Sequence, residues 1–514
     1  MPSTDRPLSR PGSDADDDER LRYAIALSLQ EQGPASLSEQ AGPPQTATGA
    51  THVSSGSFIL MSLDRKKMEA ERLARLGAKR LQPLADNRDD GDVVEVPPPK
   101  KKQKSVLEAA GTPSLVTPTT KIPYPAGTVK RTWARGYQRT GQDIKIEEVF
   151  QKDKLLLAML SSFQWDEEWM LSKVDLGRTK LLLAAFAPNE QQKEEMRANS
   201  PPGVRFCFPP MNGFGSMHSK LQLLKYQDYL RIVVPTGNLV PYDWGESGVM
   251  ENYQLVFIID LPRLESAAPQ EPTAFSLELK RFVQDMGVDN KMVDSLSNFD
   301  FSRTANLGFV SSRPGSHTDE ALRGVGDDAV KAYNARLGRK PSDKRLGLPQ
   351  ELKNCFRIYF PTSTTAAGTI CIQRKWWHSP DFPRDLVRDC VNTREGLLMH
   401  SKAIFVRRTK ADENSDNNAD QKTWSGWAYV GSANLSESAW GHMATDRKSG
   451  KCKVNLRNWE CGVVIPVQGH GSQEGREQGA AVSMAIFRDV VSVPMRVPGR
   501  IYGPDDEPWF FDAT

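Results

Sequence analysis

Cysteine and histidine are both scarce. Six cysteines (Cys207, Cys355, Cys371, Cys390, Cys452, Cys461) and seven histidines are spread over 514 residues. No two cysteines form Cys-x-x-Cys and no histidine stands at zinc-finger spacing. A disulfide framework and a structural zinc site are therefore not expected, and the thiols read as reduced and mostly packed, as in an intracellular protein. Long apolar runs are also missing. Nothing approaches the roughly 20 residues that cross a bilayer, and Met1–Arg10 lacks the apolar core of a secretory signal. No membrane partner is expected. Net charge is low, +3 with a pI near 8.4. That neither demands nor excludes nucleic acid, because a basic groove can sit on a near-neutral protein.

What the first 120 residues hold is Pro, Ser, Asp and Lys with few aromatics, a composition that predicts disorder. Two islands interrupt it. An acidic run, Asp16-Asp17-Asp18-Glu19, precedes Leu21, Ala24, Ile25, Ser28 and Leu29 at helical spacing. The acids would sit at the positive end of the helix dipole. The pattern resembles a ubiquitin-interacting motif over 16–31. Leu21, Ala24 and Ser28 would be its contact residues, with the small Ala24 allowing close approach. The second island, Pro97-Pro98-Pro99-Lys100-Lys101-Lys102-Gln103-Lys104, resembles a nuclear localisation signal and places the chain in the nucleus. Between them, residues 64–80 form a charged helical stretch.

From residue 121 onward, short apolar runs alternate with helical patterns. Leu155–Leu160 reads as a helix. Lys180–Phe186, Val204–Phe208, Leu230–Val234 and Leu255–Ile259 read as strands, and Ala274–Met286 as a helix. Phe356–Pro361, Trp427–Val430 and Cys461–Ile465 read as strands, with a polar surface loop over 410–422. The expectation is an α/β layered fold in two halves, 121–320 and 321–514.

The halves share a motif. Met217-His218-Ser219-Lys220 recurs as Met399-His400-Ser401-Lys402, an offset of 400 − 218 = 182 positions. Each is followed by Asn-Leu-x4-Trp-Gly, at Asn238–Gly245 and Asn434–Gly441. Read as a strand, each His-x-Lys puts both side chains on one face. Two imidazoles, two ammonium groups and two amides suit a tetrahedral phosphoryl anion. One His attacks phosphorus and the other protonates the leaving oxygen. A lone His-x-Lys would be read as a core or surface pair; two copies with matched Lys, Asn and Trp-Gly are not. No cluster of carboxylates, cysteines or further histidines surrounds either copy, so neither metal nor other cofactor is implied.

Paired His-x-Lys with a downstream Asn resembles the phospholipase D superfamily. Most of its members continue with Asp where this chain has Lys225 and Arg407. That loss, with Gly431-Ser432-Ala433-Asn434-Leu435-Ser436, Asn458-Trp459-Glu460, Asp243-Trp244, Phe299–Ser302 and Ser311–Gly315, resembles the tyrosyl-DNA phosphodiesterases of type 1, in fungal-like form, over about 121–514. The resemblance implies two pseudo-symmetric α-β-α halves sharing one central site. It implies hydrolysis of the bond between a DNA 3′ end and a tyrosine of stalled topoisomerase I, in DNA repair. His218 would be the nucleophile and His400 the acid and base. Lys220, Lys402, Asn238, Asn434 and Ser436 would hold the phosphate. Glu460 would orient a histidine through its Nδ1, with His218 of the opposite half as the candidate, and Asn252 or Glu251 would be its first-half counterpart. The chain would act as a monomer on DNA carrying a 3′ tyrosyl peptide. The family's Ser/Gly-rich segment, which helps grip the strand, has no counterpart between Pro314 and Pro361. Alternatives are a phospholipase D-like nuclease or lipase, and a non-catalytic adaptor that binds ubiquitin and DNA.

Overall fold

The computed structural model describes residues 122–211, 215–248, 251–265, 271–318, 356–365, 377–379, 382–407, 424–445, 452–468 and 483–509. All belong to one compact unit, residues 61–514. The helix expected over 16–31, the stretch 64–80, the lysine cluster 97–104 and the loop 410–422 lie outside the described residues.

The first half contributes β1 (Thr128–Thr132), β2 (Asp143–Ile144), β3 (Leu157–Ser161), β4 (Lys180–Ala184), β5 (Val204–Cys207), β6 (Gln222–Lys225), β7 (Tyr229–Pro235), β8 (Asn252–Tyr253) and β9 (Leu255–Pro262). All but β8 form one sheet in the order β2-β1-β9-β7-β6-β3-β4-β5. Its helices are α1 (Ile146–Phe150), α2 (Glu167–Ser172), α3 (Glu190–Ala198), α4 (Ala274–Asp285) and α5 (Asn290–Asp294). Alternation along the strands feeds two cores. Ile232, Val234, Leu255, Phe257 and Ile259 pack with Phe275, Leu279 and Phe282 of α4. Val233, Val256 and Ile258 face the other way, onto Ile146, Val149 and Phe150 of α1 and Met170 of α2. Burial on both faces explains why central strands read as unbroken apolar runs. It also corrects one expectation. Leu155–Leu160 leads into and forms most of strand β3, not a helix, between β4 and β6. Met159 enters one core while Ala158 and Leu160 enter the other. A short continuous apolar run cannot be assigned from its period alone.

One charged pair interrupts the apolar face. Arg231 and Asp260 are opposite each other on β7 and β9, and both are fully buried. Arg231 Nε and Nη2 donate to Asp260 at 2.7 and 2.8 Å. Arg231 Nη1 donates to the carbonyls of Glu148 and Val149 at the end of α1. Removing one partner of such a pair strands the other charge in the interior. Asp260→Ala is expected to lower stability by about 3–5 kcal/mol, read as the shift of the urea midpoint.

The second sheet has the order β10-β19-β16-β15: β10 (Gly308–Ser312), β15 (Ala403–Arg407), β16 (Trp424–Gly431) and β19 (Glu460–Gln468). Strand β10 joins this sheet although it precedes residue 320. Smaller pieces are β11 (Gly315–Thr318), β17 (His442–Thr445) and β18 (Cys452–Leu456) in one ladder, and β12 (Ile358–Phe360) with β13 (Val387–Asp389). Strand β14 (Leu398–Met399) pairs with β8, and α6 (Glu437–Trp440) follows the second Asn-Leu. Ala428, Val430, Val463 and Ile465 share the α4 core with the first sheet. The fold is therefore mixed α/β, with helix α4 packed in a core common to both sheets. Cys207, Cys390 and Cys461 are buried free thiols, pushed up by burial to about 11, 12 and 11. No helix among the described residues is long and apolar enough to cross a membrane.

Candidate active site

Neither His-x-Lys lies inside a ladder, as the strand reading expects. Each is an extended stretch bordering one, because its backbone is stitched to a distant segment. Met217 bridges Trp459, and the His218 N–H donates to the Trp459 carbonyl at 3.0 Å. Met399 pairs with Tyr253, and the His400 N–H donates to the Tyr253 carbonyl at 2.9 Å. Each histidine is thus held by chain from the other half.

The stitching brings Glu460 beside His218. His218 Nδ1 lies 2.8 Å from Glu460 Oε2. Ser432 Oγ donates to the same oxygen at 2.5 Å, and Asn458 Nδ2 donates to Oε1 at 3.0 Å. A carboxylate on Nδ1 holds the proton there and leaves the Nε2 lone pair free. Phe163 packs on the ring, with centroids 5.1 Å apart.

His400 has a different partner from the one expected. Its Nδ1 lies 3.0 Å from both oxygens of Asp243, a fully buried residue. Asn252 stands one step behind: its Nδ2 donates to Asp243 Oδ1. The backbone N–H of Asn238 donates to Asp243 Oδ2 at 2.6 Å. The pairing registers explain the difference. Trp459 is opposite Met217 and Tyr253 is opposite Met399, so the positional counterpart of Glu460 is Gln254, and Asn252 matches Asn458. Gln254 donates to the Asp243 carbonyl and accepts from the Gly237 N–H, both at 2.6 Å. An amide occupies the carboxylate's place, and Asp243 supplies the charge instead. Glu251 accepts from the Gly248 N–H.

The remaining expected residues fall in two groups. Lys220 and Lys402 are buried beside the histidines. Lys220 Nζ donates to the His218 carbonyl at 2.8 Å and Lys402 Nζ to the Thr236 carbonyl at 3.0 Å. Asn238 Oδ1 and Asn434 Oδ1 are both buried without a hydrogen-bond partner. Asn238 Nδ2 donates to Gln164 Oε1 at 3.2 Å. Ser436 does something else: its hydroxyl caps α6 by accepting from the Ala439 N–H. The repeated Trp-Gly has a backbone cause, since Gly245 and Gly441 both sit at positive φ, +75° and +87°. Trp244 is fully buried and its Nε1 supports the Asn238 carbonyl at 2.9 Å. Trp440 is half-exposed against Tyr429.

Electrostatics follow from burial. Glu460 and Asp243 are held down to about 2, Glu460 by His218 and Asp243 by His400, against a desolvation that alone would raise them. Desolvation is the largest cause for the bases and lowers all of them. His218 falls to about 4, helped by Lys220. His400 falls to about 4 although Asp243 opposes the shift. Lys220 falls to about 8, and Lys402 falls well below its ordinary value, with Lys220 adding repulsion. Four basic groups close enough to lower one another's pKa favour an anion beside them. An anion raises the pKa of each, so binding takes up protons: affinity is highest where the bases are charged and is lost as pH rises. Sulfate stays a dianion across this range, so its affinity is expected to fall about tenfold per pH unit between pH 5 and 7 when one proton is taken up. Calorimetry in buffers of different ionisation enthalpy reads the uptake directly. A pH-independent affinity would contradict it.

Two histidines, each on a buried carboxylate, stand with two lysines and two asparagines. The tyrosyl-DNA phosphodiesterase profile covers residues 128–349 and 335–503. The chain belongs to the tyrosyl-DNA phosphodiesterase family. A ubiquitin interaction motif profile matches residues 16–32. Tyrosyl-DNA phosphodiesterase 1 of Arabidopsis thaliana is 22% identical over 449 residues, 72% of this chain and 71% of that protein. Its Drosophila melanogaster namesake is 22% identical over 360 residues, 58% of this chain and 57% of that protein. Among solved structures, a variant of the yeast tyrosyl-DNA phosphodiesterase is similar at TM-score 0.50 and 18% identity, covering 75% of this chain and 99% of that one. Family membership makes this a phosphodiesterase hydrolase with a phospholipase D-like fold. Asp243 was not picked out as a site residue; its one signal is an acid five residues after Asn238, where the second copy has Ala439. Ser432 and Asn458 stand in the motifs that carry the family resemblance without a role read for either, and Gln254 stands in none of them.

Proposed function

We propose that this chain hydrolyses the phosphodiester joining a DNA 3′ end to a tyrosine, as left by a stalled type IB topoisomerase, through a covalent phosphohistidine. The reading rests on one observation above all: each of two imidazoles has its Nδ1 on a buried carboxylate, and each feels the lysine of the other copy. The His218 Nε2 lone pair attacks phosphorus. The bond to the tyrosine oxygen breaks, and His400 Nε2–H protonates that oxygen. His400, now neutral, takes a proton from water, whose oxygen attacks phosphorus and breaks the P–N bond. The products are a 3′-phosphate and free His218. Lys220 and Lys402 balance the equatorial oxygens, with Asn238 and Asn434 beside them. The approaching phosphate charge raises His400 from about 4 and lets it carry the proton it donates. The halves 121–320 and 321–514 act as a pseudo-symmetric pair around this site. The matched motif and the mirrored backbone stitching of Met217 and Met399 support that.

The match over residues 16–32 supports ubiquitin binding by Leu21, Ala24 and Ser28. Residues 97–104 support a nuclear location. A 3′-phosphotyrosyl oligonucleotide is expected to be converted to the 3′-phosphate in excess chelator. Loss of turnover on chelation, restored by added metal, would sink the metal-independent mechanism.

A further inference from the structure

Asn238 is pinned at its backbone and held at its amide by one residue. Its N–H donates to Asp243 Oδ2 at 2.6 Å and its carbonyl accepts from Trp244 Nε1 at 2.9 Å. The next residue is pinned too. The Leu239 N–H donates to Ser162 Oγ at 3.0 Å, and the Leu239 carbonyl accepts from the Asp166 N–H at 3.0 Å. Ser162 Oγ in turn donates to the Gln164 carbonyl at 2.6 Å. The main chains of Gln164 and Asn238 are therefore tied to each other. These ties do not set the terminal torsion of the Asn238 side chain, which is broad and two-fold. Gln164 sets it. Asn238 Nδ2 donates to Gln164 Oε1 at 3.2 Å, and the Tyr242 hydroxyl donates to the same oxygen at 3.0 Å. That orientation leaves Asn238 Oδ1 buried without a partner. A buried carbonyl oxygen with no donor is costly and calls for a cause. The pair also lies close to the nucleophile, since Gln164 follows Phe163, whose ring packs on His218.

We propose that the amides of Gln164 and Asn238 flip together when a phosphoryl anion enters, which makes Gln164 the positioning residue of Asn238. This rests on the phosphodiester reading above, which gives Asn238 to the phosphate. Phosphoryl oxygens only accept, and the Asn238 donor is turned to Gln164. A half-turn of the Asn238 amide exchanges its oxygen and nitrogen, which are alike in size. Nδ2 then stands where Oδ1 stood and donates to the anion, and Oδ1 faces Gln164. The same half-turn of Gln164 presents Nε2, with one hydrogen for Asn238 Oδ1 and one for the Tyr242 oxygen. Every polar atom of the three side chains then has a partner, the orphaned oxygen included. A group that accepts in one state and donates in the other is required at position 164, and a primary amide is such a group. A carboxylate accepts alone, so it would hold Nδ2 away from the anion.

The test uses the full chain and sulfate, read by calorimetry. Asn238→Ala is expected to weaken sulfate about tenfold, the loss of one hydrogen bond to an anion. In a Gln164→Glu background the same replacement is expected to cost less than about twofold, because the amide is already turned away. In Gln164→Met, which holds the amide in neither position, it is expected to cost about tenfold again. Comparing within each background cancels the charge that a carboxylate adds. With asparagine labelled in 15N, the side-chain NH2 signals that Asn238→Ala deletes are expected to shift when sulfate is added to wild-type protein, and to stay in place in Gln164→Glu. An undiminished cost of Asn238→Ala in the Gln164→Glu background would overturn the flip, since Asn238 would then reach the anion with its second Nδ2 hydrogen from its present orientation. Unmoved NH2 signals in wild-type protein would overturn it too, as would no sulfate binding at all. Turnover of a 3′-phosphotyrosyl oligonucleotide separates this from the reading beneath it. Turnover without the coupling sinks the flip alone. The coupling without turnover sinks the phosphodiester reading and leaves the amide pair a switch for anions.

Discussion

His218→Ala forms no covalent adduct with a 3′-phosphotyrosyl oligonucleotide, whereas His400→Ala forms one and releases it slowly. That is the expected result of quenched single turnovers resolved on a denaturing gel. The argument starts from the free base. Burial and Lys220 hold His218 down to about 4, so it is neutral at pH 7. Glu460 on Nδ1 leaves Nε2 as the atom with a lone pair. Without that nitrogen no P–N bond forms. His400 does not bond to phosphorus. It supplies a proton to the leaving oxygen and removes one from water, contributions worth about 10²–10⁴-fold each. In its absence tyrosine leaves more slowly and the water step slows by a similar factor, so the adduct outlives the quench. The prediction carries its own reversal: an adduct in His218→Ala that is missing in His400→Ala would exchange the two roles.

Removing the charge behind each imidazole is expected to cost nearly as much, and at a different step. Glu460→Gln should slow adduct formation, and Asp243→Asn should slow tyrosine departure and adduct hydrolysis, each by about 10²–10⁴ in rate. Glu460 faces His218, and its charge also balances buried Lys220. Asp243 faces His400 and accepts from the Asn238 N–H and from Asn252. The variants stay isosteric, so thermal unfolding should separate a charge effect from a fold effect. Pre-steady-state traces then decide the assignment. If both variants slowed the same step, the pairing of carboxylates with steps would be wrong.

Much of the fold was legible because central strands bury both faces, and apolar runs such as Leu230–Val234 and Leu255–Ile259 record that directly. β3 was not, since Leu155–Leu160 is too short for its period to separate strand from helix. The reacting groups were legible from repetition: matched His, Lys, Asn and Trp-Gly appear in both copies. The partner of His400 was not. Asn252 lies two residues from the register position that Gln254 holds, and the carboxylate comes from Asp243, outside that strand altogether. Ser436 shows the opposite failure, since a polar residue beside a site motif turned out to cap a helix.

The sequence by itself determined which functional groups this protein brings to a phosphoryl centre and in what number, because side-chain chemistry belongs to each residue and the repeat marks the pairs. Only the tertiary structure decided which carboxylate stands behind which imidazole. Asp243 is 157 residues from His400 and Glu460 is 242 from His218. Contacts at that separation depend on strand register and on burial around a shared core, and burial is also what lowers both imidazoles to about 4.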